Sequence, residues 1–315
     1  LSIIELVVVF YLVLRVLVGI EQIGFSPAFF YVRLFWGFLF FYLYFKSGPN
    51  ITINRVFLFM AILTISEYLA IHLYENIVNY LPNYQQKDVM EAFYNSSGWL
   101  GGAYSFGGNR TVSGVILLSI FSYMDQHNLK HKWIIFLGSI CCISGVAIGL
   151  TMLYLLISRI RHVKKSFITA GVALFLVGLF IKFVVMSDDE MFHRLSLNYL
   201  LDFMWDYKYN QVLRALLMLD GEAWTIFSGI HDFSSENLEV SGFGISFGDF
   251  MALEFFVHYG LIGSLIFVVF VLTRINKENY WPIFILVAGT FHYGIIFAAP
   301  GQLIFAYFLS RKGIK

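Results

Sequence analysis

The chain has 315 residues, 59% hydrophobic and only 13% charged, with a formal net charge of +1. Soluble domains sit near half apolar and a quarter charged, so the composition points away from one and towards a polytopic helical membrane protein. With charge this balanced and no long basic cluster, nucleic acid is not a partner.

Apolar runs fall near 2–20, 28–45, 56–74, 111–124, 133–159, 167–186, 250–273 and 281–310. The first begins on Leu1 and not on Met. The chain is therefore expected to be trimmed, and this run is read as a span and not as a signal peptide. The run 133–159 is basic at both ends, with His131 and Lys132 before it and Arg159, Arg161, Lys164 and Lys165 after it. The positive-inside rule puts both ends in the cytoplasm, which one helix cannot achieve. The run must be a tight hairpin, with its break at Ser144-Gly145. Each arm of about 14 residues reaches roughly 21 Å, short of the ~30 Å hydrocarbon core. The arms either extend into the basic ends or turn below the far surface. The adjacent Cys141 and Cys142 point roughly 100° apart on a helix and are read as packing residues.

The stretch 187–249 is the largest non-membrane part. Leu197, Leu200, Leu201 and Met204 recur there at helical spacing opposite Arg194, Asn198 and Asp202, which predicts amphipathic helices on the membrane surface or over a cavity. The run 281–310 splits as 133–159 does, between Lys277 and Arg311, with a break expected near Pro300-Gly301 in "FAAPGQ". The result is an all-α polytopic membrane protein of about ten transmembrane segments. Both termini are cytoplasmic, 187–249 forms a large periplasmic loop, and 1–315 make one integral membrane domain. Charge sorts accordingly. The inside loops hold 13 of the 21 basic residues, from Lys46 and Arg55 to Arg311, Lys312 and Lys315, against only Asp125 and Glu278.

No P-loop, dinucleotide fingerprint, HExxH or CxxC occurs, and no His/Cys cluster has metal spacing. What remains is a set of charged groups on the outer side. Arg110 lies in "FGGNRTVSGVILLSIF", where glycines 101, 102, 107 and 108 precede an apolar helix. Glycines let backbone approach a ligand, the helix start offers amides, and a guanidinium binds phosphate bidentately. The alternative is a snorkelling interface arginine. Arg194 and Arg214, on the outer helices, could hold a diphosphate or make surface ion pairs. Asp249 opens the helix "FMALEFFVHYGLIGSLIFVVFVL" as an N-cap or as a general base. Glu254 and His258 follow one turn apart and are costly in a membrane unless they face the bundle interior. Arg15, Arg33, Glu67, His72 and Lys182 also lie within or near spans, where such groups are functional or paired.

Three stretches resemble the O-antigen polymerase/ligase superfamily, which comprises Wzy-type polymerases and lipopolysaccharide O-antigen ligases. "FGGNRTVSGVILLSIF" looks like the family's "fGnpN" loop entering a helix. The hairpin around "ISGVAIGL" occupies the place of its "TgSRg" turn. "GDFMALEFFVHYGLIGSLIFVVF" is similar to its "yGliG" segment after the large loop. Two departures stand out. Gly145 replaces the turn arginine, leaving Arg110 or Arg33 as the candidate substitute. Counting back from Gly260, Asp249 stands where ligases have histidine, as polymerases often do.

The resemblance implies an inverting, metal-independent glycosyltransferase of the bacterial inner membrane with no cofactor. It would polymerise undecaprenyl-diphosphate-linked oligosaccharide repeat units on the periplasmic side. Arg110, Arg194 and Arg214 would bind the donor diphosphate, and Asp249 would orient or deprotonate the acceptor hydroxyl. Arg33, His258 and Glu254 are further substrate-binding candidates. Membrane lipid and a chain-length regulator protein are the other implied partners. The rivals are an O-antigen ligase transferring polymer to lipid A core and a non-enzymatic polysaccharide or lipid transporter.

Overall fold

In a computed structural model of the chain, the described residues are 2–23, 37–48, 53–73, 103, 106, 109–160, 209–219, 223–229, 251–291, 293–296 and 298–311. Every regular element among them is helical. In chain order these are α1 (Ile3–Ile23), α2 (37–46), α3 (Ile53–Leu73), α4 (Arg110–Gln126), α5 (Lys132–Cys141), α6 (Gly145–Ile160), α7 (Tyr209–Leu219), α8 (Ala223–Ser228), α9 (Met251–Leu272), α10 (Tyr280–Thr290) and α11 (Ala299–Ser310). Two of them contain stretches long and apolar enough to cross a membrane, Ile53–Ala70 in α3 and Phe255–Leu272 in α9. The chain forms two compact units, Ile53–Tyr209 and Leu1–Thr52 with Asn210–Lys315.

In the first unit α4 is the central rod, buried along nearly its whole length from Thr111 to Met124. The Asn109 side chain caps it, its Oδ1 accepting from the Thr111 amide at 2.7 Å and the Val112 amide at 3.4 Å. That satisfies two of the donors a helix start leaves orphaned. α5 runs antiparallel to α4: Lys132 Nζ bonds Asp125 at one end (2.7 Å), and Ser139 Oγ donates to the Gly114 carbonyl at the other (2.8 Å). The chain then turns over Cys142–Ser144, with Ile143 at φ 44°, and α6 runs back parallel to α4. Ser144 Oγ meets Thr111 Oγ1 at 3.0 Å, and Tyr154 OH donates to Asp125 Oδ2 at 2.9 Å. The 133–159 run is therefore the hairpin expected from its two basic ends, broken at the expected place. α5 spans only about 15 Å, so the turn stops well short of a bilayer's thickness. Small residues allow the tight fit. A Cβ on Gly114 would press on Cys142 and Ala147, and one on Gly138 on Ala61 and Leu117.

In the second unit, α1 inverts the pattern of a soluble helix. Ile3, Leu6, Phe10, Leu14 and Leu17 are exposed, whereas Glu5 is fully buried beside Val8 and Leu12. An aromatic cluster joins α2, α9 and α11: the Phe38 ring lies 5.9 Å from Phe270 and 5.4 Å from Phe305. The 281–310 run also reverses, because Asn279 Nδ2 at the start of α10 donates to the Phe308 carbonyl near the end of α11 (3.0 Å). The break, however, lies at 291–298, upstream of the expected Pro300-Gly301. Pro300 starts α11 and does not stop α10. In the first turn of a helix the missing N–H costs nothing and the fixed φ is already helical. Gly301 is needed there for a separate reason: a Cβ would strike the Ile295 carbonyl of the turn.

Candidate functional site

At the end of the first unit away from Lys132 and Asp125, the start of α4 and the hairpin turn come together. Thr111 and Ser144 join them through their hydroxyls, and the Ser144 Oγ also accepts from the Ala147 amide (3.4 Å), capping α6. The backbone is pinned there as well, since the Ala103 amide donates to the Cys141 carbonyl (3.0 Å). Arg110 sits in the first turn of α4, half-buried, directly after the capping Asn109. Asn109 carries the cap, because the amides of the helix start need an acceptor and a guanidinium offers only donors. Glu67 of α3 lies close enough to Cys142 in the turn to act on it electrostatically. Two of the three stretches that carry the family resemblance therefore meet at one point, joined by a hydroxyl pair that no spacing in the sequence announces.

The third stretch, "YGLIG", contains a helix break in the second unit. Gly260 has φ 63° and ψ −172°, so α9 stops and restarts there. Only glycine adopts this conformation readily. A break frees carbonyls, and two are taken up from α1. Arg15 Nη2 donates to the His258 carbonyl, and Tyr11 OH to the Tyr259 carbonyl at 2.7 Å. Tyr11 and Arg15 are one turn apart, so both reach the same break. The other Arg15 nitrogen, Nη1, donates to the Ser228 carbonyl at the end of α8 (2.8 Å), and its guanidinium lies over the Tyr259 ring at 5.9 Å. Gly229, at φ 79°, crosses Gly260 so closely that a Cβ on either would overlap the other's backbone. Gly263, the second glycine of the motif, leaves room for the Tyr11 hydroxyl.

A separate polar knot sits at the other end of α1. The Glu5 carboxylate accepts from Lys46 Nζ (2.5 Å), Arg274 Nη2 (2.6 Å), Tyr42 OH (2.6 Å) and the Ser2 amide (2.6 Å). The starts of α1 and the ends of α2 and α9 are thereby held at one level. The two cations, Lys46 and Arg274, are among the residues that the sequence reading puts in inside loops.

Of the residues singled out in the sequence, Arg110 stands at the helix start described above. Arg33, Arg194 and Asp249 lie outside the described residues. Arg214 and Glu254 lie on α7 and α9 by backbone position. His258 is buried beside the Gly260 break, and its carbonyl is the group Arg15 holds. Arg15, noted in the sequence only as an intramembrane cation, has a defined task. Sequence reading missed Tyr11 and Thr111, and named Ser144 only as the hairpin break. The usable signals were the one-turn spacing of Tyr11 and Arg15 and the i, i+3 glycines of "GLIG". Comparison with protein-family models, with curated proteins and with solved structures returns no match.

Proposed function

We propose that the chain is an inner-membrane glycosyltransferase that polymerises lipid-diphosphate-linked repeat units on the periplasmic side. The observation that carries this reading is the meeting of the hairpin turn with the helix start that bears Arg110. It puts Thr111, Ser144 and Arg110 together at the end of the unit opposite the Asp125–Lys132 pair, the end that the charge sorting reads as outer. Arg110 lies fifteen residues, or about 22 Å, along α4 from the Asp125–Lys132 pair at the basic end. In a ~30 Å core with that pair at the inner surface, Arg110 is submerged below the outer surface. A guanidinium at that depth is costly unless it meets an anion or backbone carbonyls, as Arg15 does. A diphosphate whose lipid tail lies in the bilayer delivers one there. The guanidinium would stabilise the charge that develops on the departing diphosphate oxygen. By the resemblance, Arg194 and Arg214 would serve the diphosphate and Asp249 the acceptor hydroxyl; Arg194 and Asp249 lie outside the described residues. The membrane placement draws on the two long apolar helices, the exposed apolar stripe of α1 and the buried Glu5.

The broken α9 favours a second reading, a transporter, because discontinuous helices with free carbonyls form ion and substrate sites. The carbonyls of His258 and Tyr259 are already engaged by Arg15 and Tyr11, which weighs against it. Reconstituting the purified protein with lipid-linked repeat units alone separates the readings. A polymerase makes a ladder of chain lengths. A ligase makes product only when lipid A core is added, and a transporter moves substrate without lengthening it.

A further inference from the structure

The stretch 187–249 is expected to lie outside the membrane, yet its described C-terminal part reaches deep into the second unit. α8 packs on α9 at the Gly260 break, and its last carbonyl, that of Ser228, accepts from Arg15. Arg15 stands ten residues beyond Glu5, about 15 Å along α1. On α9, the twelve residues Leu261–Leu272 separate the break from the end held by Arg274, about 18 Å. The depth follows if the Glu5–Lys46–Arg274 knot is set at the inner membrane surface, where long cationic side chains can reach water. Both helices then put the end of α8 near the middle of a ~30 Å core.

At that depth α8 exposes large apolar side chains: Trp224 is 65% exposed, Ile226 40% and Phe227 44%. At its C-terminal end the described polar groups are used. The Gly229 amide donates to the Thr225 carbonyl (2.7 Å), Ser228 Oγ donates to the Trp224 carbonyl (3.1 Å), and Arg15 takes the Ser228 carbonyl. Hydrocarbon demands such internal satisfaction of backbone groups, and a water-facing loop does not. Exposed Leu14 and Leu17 on α1 and Leu261, Ile262 and Leu265 on α9 bring further bare apolar surface to the same unit.

We propose that α8 is a re-entrant helix whose Trp224–Ile226–Phe227 face is covered by the hydrocarbon chains of bilayer lipid. This rests on the membrane placement given under Proposed function. It makes the outer stretch a structure that dips back into the bilayer beside α9.

The test uses the full chain in phosphatidylethanolamine/phosphatidylglycerol vesicles, with Cys141→Ser and Cys142→Ala removing the native thiols. Single nitroxide labels at Trp224→Cys, Leu265→Cys and Lys277→Cys are compared for collision with oxygen, which concentrates in lipid, and with a water-soluble nickel chelate. The expected result is an oxygen-to-nickel ratio at Trp224→Cys that matches Leu265→Cys and exceeds Lys277→Cys several-fold. A lipid-like ratio at Leu265→Cys with a water-like ratio at Trp224→Cys overturns the re-entrant helix and leaves the membrane reading standing. Water-like ratios at both positions overturn the membrane reading and the inference together. If the labelled variants do not fold, quenching by lipids brominated mid-chain is measured on the wild type and on Trp224→Phe. Loss of a quenched component in Trp224→Phe supports the proposal, and an unchanged quenched fraction overturns it.

Discussion

Replacing Gly260 with alanine tests whether the helix break is built into the sequence. The residue occupies φ 63° and ψ −172°, where a side chain costs about 1–3 kcal/mol in backbone strain. The added Cβ would also overlap the Phe227 carbonyl and the Gly229 amide. Relief requires α8 to move off α9 or α9 to straighten. Either movement pulls the His258 carbonyl from Arg15, and a hydrogen bond to a charged group contributes about 1.5–3 kcal/mol. The total is about 3 kcal/mol or more, a large fraction of a typical net stability of about 5–15 kcal/mol. Gly145→Ala is the control. Gly145 opens α6, has no positive φ and has nothing within 4 Å of a built Cβ. Both variants would be heated in detergent and the surviving folded fraction read by size-exclusion chromatography. Gly260→Ala should melt many degrees below wild type, with Gly145→Ala unchanged. Equal melting of the two variants would refute the reasoning.

Further substitutions probe the same architecture. Arg15→Met should destabilise by about 2 kcal/mol because it strands the Ser228 and His258 carbonyls, while Arg15→Lys recovers part of the loss; detergent melting reads both. Glu5→Gln should cost about 2 kcal/mol, less than the roughly 3–5 kcal/mol of a fully buried pair, because Lys46 and Arg274 keep 27% and 20% of their side chains exposed. The double variant Glu5→Gln/Arg274→Gln should be milder than the sum of the singles, and strict additivity would contradict a shared knot. Asn109→Ala should lose about 1 kcal/mol of stability through the cap of α4, whereas Arg110→Ala should melt as wild type does. The reverse order would reassign the cap.

The sequence was most legible where charge sorting and chain geometry agree. Basic residues at both ends of 133–159 demand a reversal, a run too short for two full spans leaves either extended arms or a shallow turn, and the ten-residue α5 has the short arm. The break at Cys142–Ser144 follows from the first two facts. Pro300 was misplaced by one role, because proline both ends one helix and starts the next. Only the position of the preceding turn, 291–298, decides between them. Gly260 was invisible as a break, since an isolated glycine in an apolar run is read as a tolerated helical residue. Its conformation depends on Gly229, Tyr11 and Arg15, all far away in sequence. For the same reason Arg15 was recognisable as an intramembrane cation but not as the ligand of backbone carbonyls, which leave no mark in an amino-acid pattern. At the candidate site, the glycine-rich approach and Arg110 were legible, and the Ser144–Thr111 joint that fixes them was not.

Under the function proposed above, Arg110 and Arg194 grip one diphosphate at the outer face. The direct measurement is the length distribution of lipid-linked glycan in cells that carry only Arg110→Ala or only Arg194→Ala, each expressed at the wild-type level in the membrane. The account predicts that both strains accumulate single repeat units and lose the polymer ladder. Full-length chains from both would contradict it.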